Sequence, residues 1–454
     1  MKLNNKRLIK ESLTLSLPGF ISIIISLISI PIHLNIAGTE NYGNYIIFHF
    51  LLIFTNVLNL GIGKSIVISI NNFPKYGKEI SFEGVKYTTY LFLIIIFILI
   101  FMIFLSLNFS YSFYIFNINS VILILGSVTT LWFLTLEGIF QGNENFKLLS
   151  FFNFLFYSLS LSFPSLLLVK YNNLHFDDLI YVALIIKFIS VILMLIYIKF
   201  NNYFKKSKSL FLYKNLSKNS KWISLNLILI QFYDLIDKIF IKYFYGPIAL
   251  TTYSVPQQLT GKLSILSKGI SAFLLPYFSK KNTKKNNLNF SLNIFLFYIP
   301  LIIFITFPFY EFLLSLWLGD QLNISIIVLS KIFSISVIFA CSSHILVTKF
   351  EADKKLNLNL KIELLILPVF LCMLLTFIKL QYSLIIISVV ILSKEFILLA
   401  IKLFFLKNSL NNYNKYFLLL ITYLVIMILS FYNIYLFYFS LLILLIVNLK
   451  IRND

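Results

Sequence analysis

Long apolar stretches separated by short polar gaps run along the chain from residue 12 to its end. A helix crossing the ~30 Å hydrocarbon core of a bilayer needs about 20 apolar residues. The pattern predicts such helices over 12–34, 45–70, 87–108, 118–140, 149–169, 179–199, 222–244, 249–276, 290–313, 325–348, 362–379 and 384–405. A last apolar stretch, 417–449, would make about 50 Å of continuous helix, too long for one span. Lys407 and Lys415 precede it and Lys450 and Arg452 follow it, so it is expected to be a hairpin breaking near Ser430–Asn433. Fourteen spans result, with twelve or thirteen as the alternative count. The first run, behind Lys2, Lys6, Arg7 and Lys10, is too long for a signal peptide and lacks a small-residue cleavage site, so it reads as a retained span.

Composition agrees: 59% of the 454 residues are hydrophobic, 12% are charged, and the mean hydropathy is +0.91. No soluble domain of this size can hide that much apolar surface. The formal charge of +21 would suggest nucleic acid in a soluble chain, but the lysines fall in alternate loops. Lys75, Lys78 and Lys86 follow the second span, and Lys199, Lys205, Lys206, Lys208, Lys214, Lys218 and Lys221 the sixth. Lys280, Lys281, Lys284 and Lys285 follow the eighth, and Lys349, Lys354, Lys355 and Lys361 the tenth. Basic loops mark the cytoplasmic side, which places both termini there and excludes nucleic acid as a partner. Cys341 and Cys372 stand alone in apolar runs, and the four histidines lack ligand spacing, so neither a disulfide framework, a metal nor a cofactor is implied.

The longest cytoplasmic loop divides the chain into 1–210, 211–405 and a terminal hairpin, 406–454. The halves match at an offset of about 208: Gly38 with Gly246, Tyr45 with Tyr253, Gly61-Ile62 with Gly269-Ile270. At an offset of 210, Phe140-Gln141-Gly142-Asn143 lines up with Phe350-Glu351-Ala352-Asp353. Six spans per half is even, so the copies insert in the same orientation. The expected fold is an all-α polytopic membrane protein of two six-helix bundles in parallel pseudo-repeat, with a path between them.

The stretch Ile36-Ala37-Gly38-Thr39-Glu40-Asn41-Tyr42-Gly43-Asn44-Tyr45, followed by Asn59-Leu60-Gly61-Ile62-Gly63, resembles the start of polysaccharide-export flippases of the O-antigen type. These belong to the multidrug/oligosaccharidyl-lipid/polysaccharide exporter superfamily. Asp237, Tyr253-Ser254 and Trp317-Leu318-Gly319 extend the resemblance, which runs over roughly 10–400; Asn59 stands where the family often has an acid, and Ala37 where it usually has leucine. The resemblance implies a secondary transporter in a bacterial inner membrane, not an enzyme. Its cargo would be an oligosaccharide on undecaprenyl pyrophosphate, moved from the cytoplasmic to the periplasmic leaflet by alternating access coupled to an ion gradient. Membrane lipids, a glycan polymerase and a chain-length regulator would be its partners, and it would act as a monomer.

A charge in mid-membrane costs about 2.5–3.5 kcal/mol on insertion scales and so calls for a reason. Lys64, Lys187 and Lys268 lie at membrane depth and are the candidate cationic lining for an anionic headgroup. Lys64 follows Asn56, Asn59 and Gly63 on one stripe, and Lys268 shares a face with Gly261 and Ser264. The bland reading of Lys64 is a lysine snorkelling to the interface. Asp234 and Lys238 are spaced to pair along a helix, which leaves Asp237, on a face with Asn226 and Tyr233, as the candidate for ion coupling. Lys262, Lys331 and the Lys394-Glu395 pair are further candidates.

Two rivals stand beside the flippase. A membrane glycan polymerase or glycosyltransferase needs a catalytic platform, and the outer loops are too short to supply one. A multidrug exporter of the same superfamily favours acidic cavities, whereas the mid-span charge here leans basic.

Overall fold

The computed structural model describes residues 5–54, 61–108, 118–160, 176–205, 210–279 and 286–407, with scattered positions at 163–167 and 410–422. Within them every regular element is helical. The chain runs α1 (Asn5–Phe54), α2 (Ile62–Asn72), α3 (Gly77–Asn108), α4 (Ile118–Gly142), α5 (Phe146–Asn153) with a π turn at Phe154–Leu159, and α6 (Phe176–Phe200). It continues as α7 (Leu210–Gly261), α8 (Ser264–Ser279), α9 (Asn286–Asn293) with a π turn at Ile294–Tyr298, and α10 (Ile299–Thr306). The last elements are α11 (Tyr310–Leu318), α12 (Ile324–Ala352), α13 (Leu356–Lys379) and α14 (Leu384–Phe405). Among the described residues five stretches are long and apolar enough to cross a membrane: Lys10–Ile36, Ile180–Phe200, Ile324–Ala352, Leu356–Lys379 and Leu384–Phe405. Each falls on a predicted span, and the protein is a multi-pass membrane protein. The expected break at 430–433 lies outside the described residues.

Two pairs of spans differ from the sequence reading. The first and second predicted spans meet without a loop, because α1 continues to Phe54 and changes direction at Gly38 (φ 81°, ψ 163°). The seventh runs into the eighth in the same way at Gly246 (φ 85°, ψ 175°). Only glycine adopts such angles at little cost, so one residue does the work of a turn. Proline removes a helix hydrogen bond, yet α1 stays helical through Pro18 and Pro31. Pro18 has no N–H for the Thr14 carbonyl one turn back. The Ser150 hydroxyl on α5 donates to that carbonyl at 2.6 Å, which repairs the helix and docks α5 on α1.

The turns after α4, α6, α12 and α13 each hold a left-handed residue: Glu144, Asn202, Lys354 and Gln381. After α4, the amide of Asn145 donates to Phe140 O at 2.9 Å and that of Glu144 to Gln141 O at 3.1 Å. After α12 the amides of Lys355 and Lys354 repeat this on Phe350 O and Glu351 O at 2.9 and 3.2 Å. Both close the last helical turn as a Schellman motif. Together with the two glycine bends, they place identical backbone devices at the 208–210 offset read from the sequence.

The chain forms two compact units: Met1–Thr251 with Ala272–Lys281 and Phe350–Leu360, and Thr252–Ser271 with Asn282–Lys349 and Lys361–Asp454. In the first, α4 is the central helix, with α2, α3, α5 and α6 packed on it. The α2–α4 seam is the tightest, since a side chain on Gly138 would stand 2.6 Å from the Gly63 Cα. Small residues allow such close backbone approach between membrane helices. A hydroxyl pair, Thr88 and Thr135 at 2.9 Å, joins α3 to α4.

Candidate functional site

In the second unit, the predicted eighth span is not one helix. α7 stops at Gly261, and α8 starts at Ser264. Between them the Lys262 and Leu263 amides turn back to Leu259 O and Thr260 O at 3.3 and 3.0 Å. The first turn of a helix has N–H groups without intrahelical acceptors, and they favour an anion. Lys262 stands at this start and Lys268 one turn on from Ser264; Lys262 is half-buried and Lys268 exposed. The two ammonium groups are close enough to repel one another. Residue 262 is the midpoint of the predicted span 249–276, so the helix start and the two cations fall near the middle of that predicted span. The expected stripe of Gly261, Ser264 and Lys268 does not hold, because the break puts Gly261 on a different helix. Lys331 lies half-buried on α12.

The same unit contains a buried ion pair. Lys402 on α14 donates to Glu363 on α13 at 2.6 Å and to the Ser343 hydroxyl on α12 at 2.9 Å. Both charged side chains are 2–3% exposed. Replacing Lys402 with methionine takes the partner cation from the buried Glu363 carboxylate, a loss of about 3–5 kcal/mol. Adding Glu363→Leu should restore most of the melting temperature, and a double variant as unstable as the single one would contradict this. The Lys394-Glu395 pair closes at 2.8 Å, with the ammonium 5.1 Å from the Phe370 ring centroid.

In the first unit the other singled-out charges have local partners. Lys238 donates to the Asp234 carbonyl at 2.5 Å and meets the Asp237 carboxylate at 3.2 Å. The expected isolation of Asp237 is therefore corrected: its sequence neighbour pairs with it. The predicted face is buried as expected, with Asn226, Tyr233 and Asp237 all 2–4% exposed. Asn226 is held by Asn359, whose amide donates to it at 2.6 Å. Lys187 is half-buried on α6 with its ammonium 5.2 Å from the Phe156 ring centroid, and Phe156 stacks on Phe133 at 3.8 Å. An aromatic face is a good neighbour for a desolvated cation.

Lys64 opens α2, which follows Gly61 in the left-handed region (φ 64°). Asn56 and Asn59 lie outside the described residues. The Lys64 ammonium donates to Glu351 at 2.6 Å, and Glu351 is 3% exposed. Snorkelling is thus not its role: it is tied to a carboxylate 287 positions away. The sequence reading missed Glu137 on α4, Glu351 as an ion partner, and the Glu363–Lys402 pair. Acids inside apolar spans were the available signal.

The sequence matches the family profile described as "Polysaccharide biosynthesis protein" over residues 8–282. No curated protein matches it. Among solved structures the fold is similar to a mutant of the MATE transporter VcmN from Vibrio cholerae, with a TM-score of 0.66 at 15% identity over 91% of this chain and 99% of that one. It is also similar to a MOP superfamily transporter from Pyrococcus furiosus described as having a binding pocket of reverse polarity that suggests a different function. There the TM-score is 0.63 at 13% identity, over 89% and 96% of the two chains. An outward-facing multidrug resistance MATE transporter matches with a TM-score of 0.63 at 12% identity, over 89% and 96%.

Proposed function

Because the chain belongs to the polysaccharide biosynthesis protein family, we propose that it flips an oligosaccharide carried on undecaprenyl pyrophosphate across the bacterial inner membrane, from the cytoplasmic to the periplasmic leaflet. Both termini lie in the cytoplasm, and the two repeat-related halves alternate access under an ion gradient. The protein works on membrane lipid and passes its product to a polymerase and a chain-length regulator.

The observation that carries this reading is the break at 261–264 with Lys262 and Lys268 beside it. A pyrophosphate cannot cross hydrocarbon unaided, since each charge must shed its water. Two ammonium groups and the positive end of a helix start replace that water, while the lipid tail stays in the bilayer. Discontinuous helices with their positive ends toward the anionic part of a substrate are a recurring transporter device. Lys187, softened by Phe156, serves a later point of the same passage. The basic bias separates this protein from an exporter of cationic drugs, and the Pyrococcus furiosus relative is likewise described by a pocket of reverse polarity.

The test is deletion of the gene in its host. Lipid-linked repeat units should accumulate where only inverted membrane vesicles expose them, and surface glycan should disappear. Unpolymerised units on the cell surface would identify a polymerase instead, and unchanged glycan would refute the reading.

A further inference from the structure

The Lys64–Glu351 ion pair has a neutral counterpart in the same unit. Gln141 donates its amide to the Ala272 carbonyl at 2.6 Å. Position 272 is 64 shifted by 208, and position 351 is 141 shifted by 210. The two contacts are one contact drawn twice, with the halves of the chain exchanged. One uses an uncharged amide and a backbone oxygen. The other uses a lysine and a glutamate, and only this one can respond to charge.

A third charged group stands at this ion pair. Gly63 and Gly138 touch at the α2–α4 seam, and their chain neighbours are Lys64 and Glu137. Lys64 is close enough to Glu137 to stabilise its negative charge. The hydrogen bond that Glu137 receives, from the Asn153 amide, is long at 3.4 Å, and the Asn153 carbonyl oxygen is buried without a partner. The second Glu351 oxygen is also buried without a partner. Two carboxylates therefore contend for one ammonium group, and neither is otherwise well compensated.

We propose that Glu137 is a proton-binding site for transport, which contends with Glu351 for Lys64. With a proton on Glu137, Lys64 belongs to Glu351 and ties segment 350–360 to α2. When Glu137 gives its proton to water, the new carboxylate draws Lys64 away, and the tie on 350–360 loosens. That segment is the link between α12 and α13, so one proton decides whether the link itself is tied to α2. The cost of a bare anion at this depth enforces the choice.

Among the other titratable groups on elements packed against α4, Glu40 on α1 and Lys147 on α5 are exposed, and several more are engaged. Glu83 on α3 meets Lys86 at 4.0 Å, and Glu79 meets Lys205 at 3.4 Å. Lys187 on α6 sits over Phe156, and Tyr197 on α6 packs on Phe140 and Phe152. Tyr157 on the π turn feels the Glu137 charge and packs edge-on against Phe133. On α1, Lys10 and Glu11 sit at its start, away from the seam glycines.

The inference rests on the transporter reading but not on the nature of the cargo, so it is tested without substrate. Spin labels replace the exposed Lys75 and Lys355 in the full chain on a Cys372→Ser background, in nanodiscs, and their distance is followed from about pH 5 to pH 9. A single short distance is expected at the acid end. A longer population should grow about fivefold or more toward the alkaline end, the size of a typical coupling. Glu137→Gln, close in shape to the protonated acid, should hold the short distance throughout. Glu351→Gln should show the long population at both ends. A Glu137→Gln protein that keeps the wild-type pH response, or wild-type distances that ignore pH, would overturn the assignment. Either result leaves the export test above untouched, so the two readings fail separately.

Discussion

Gly138→Ala is expected to strip the protein from the membrane, although the change adds one methyl group. Its Cβ would lie 2.6 Å from the Gly63 Cα, 2.7 Å from its carbonyl carbon and closer still to its oxygen. These are backbone atoms, so no side chain can swing aside. α2 cannot retreat easily, because on its other side a Cβ on Gly61 would stand 2.6 Å from the Ile223 Cβ. The cost should reach or exceed the upper end of overpacking penalties, about 3 kcal/mol, against a total stability on the order of 5–15 kcal/mol. Gly142→Ala, one turn along the same helix, is the control. Its nearest neighbour is the Ile70 Cδ1 at 2.9 Å, the far end of a flexible side chain. Detergent-extracted protein should show a sharp loss of the monodisperse peak for Gly138→Ala and near-normal melting for Gly142→Ala. Equal melting of the two variants would remove the seam from the account.

The second large effect is expected at the helix break. On the function proposed above, Lys262→Ala with Lys268→Ala takes away two charge-assisted contacts to a phosphate, each worth about 1.5–3 kcal/mol. Together that is roughly two to four orders of magnitude in transport at about 1.4 kcal/mol per tenfold. Surface glycan should vanish while membrane protein levels stay normal, since neither lysine is buried in the folded unit. Arginine at both positions should restore much of the export, because it keeps the charge and adds donors. Wild-type glycan from the double alanine variant would sink the headgroup assignment.

How much was legible varies by residue. Gly38 and Gly246 stood out as a matched pair, and they prove to be the bend points of α1 and α7. Their role as turns was not legible, because hydropathy does not distinguish a bend between two helices from a short loop. The acid Glu137 sat in plain view within an apolar span, yet nothing local ranks it: its meaning comes from Lys64, 73 positions away across a glycine seam. Likewise the sequence offers Lys64 as a snorkelling lysine or a substrate contact, and only the fold brings Glu351 beside it.

The sequence by itself determined the solvent and the class, and it carries the proposed sidedness. Apolar length and the alternation of lysines act through each segment's own free energy of transfer, which needs no knowledge of neighbours. It also determined the internal repeat offset, since a repeat is a property of the string. Only the tertiary structure decided which charges are partners. Lys64 meets Glu351 beside the α2–α4 glycine seam, Lys402 meets Glu363 between α13 and α14, and Lys262 comes beside Lys268 at the break after Gly261. The lysines in the loops place the protein in the membrane. Those within the spans take their roles from the carboxylates and rings that the fold brings to them.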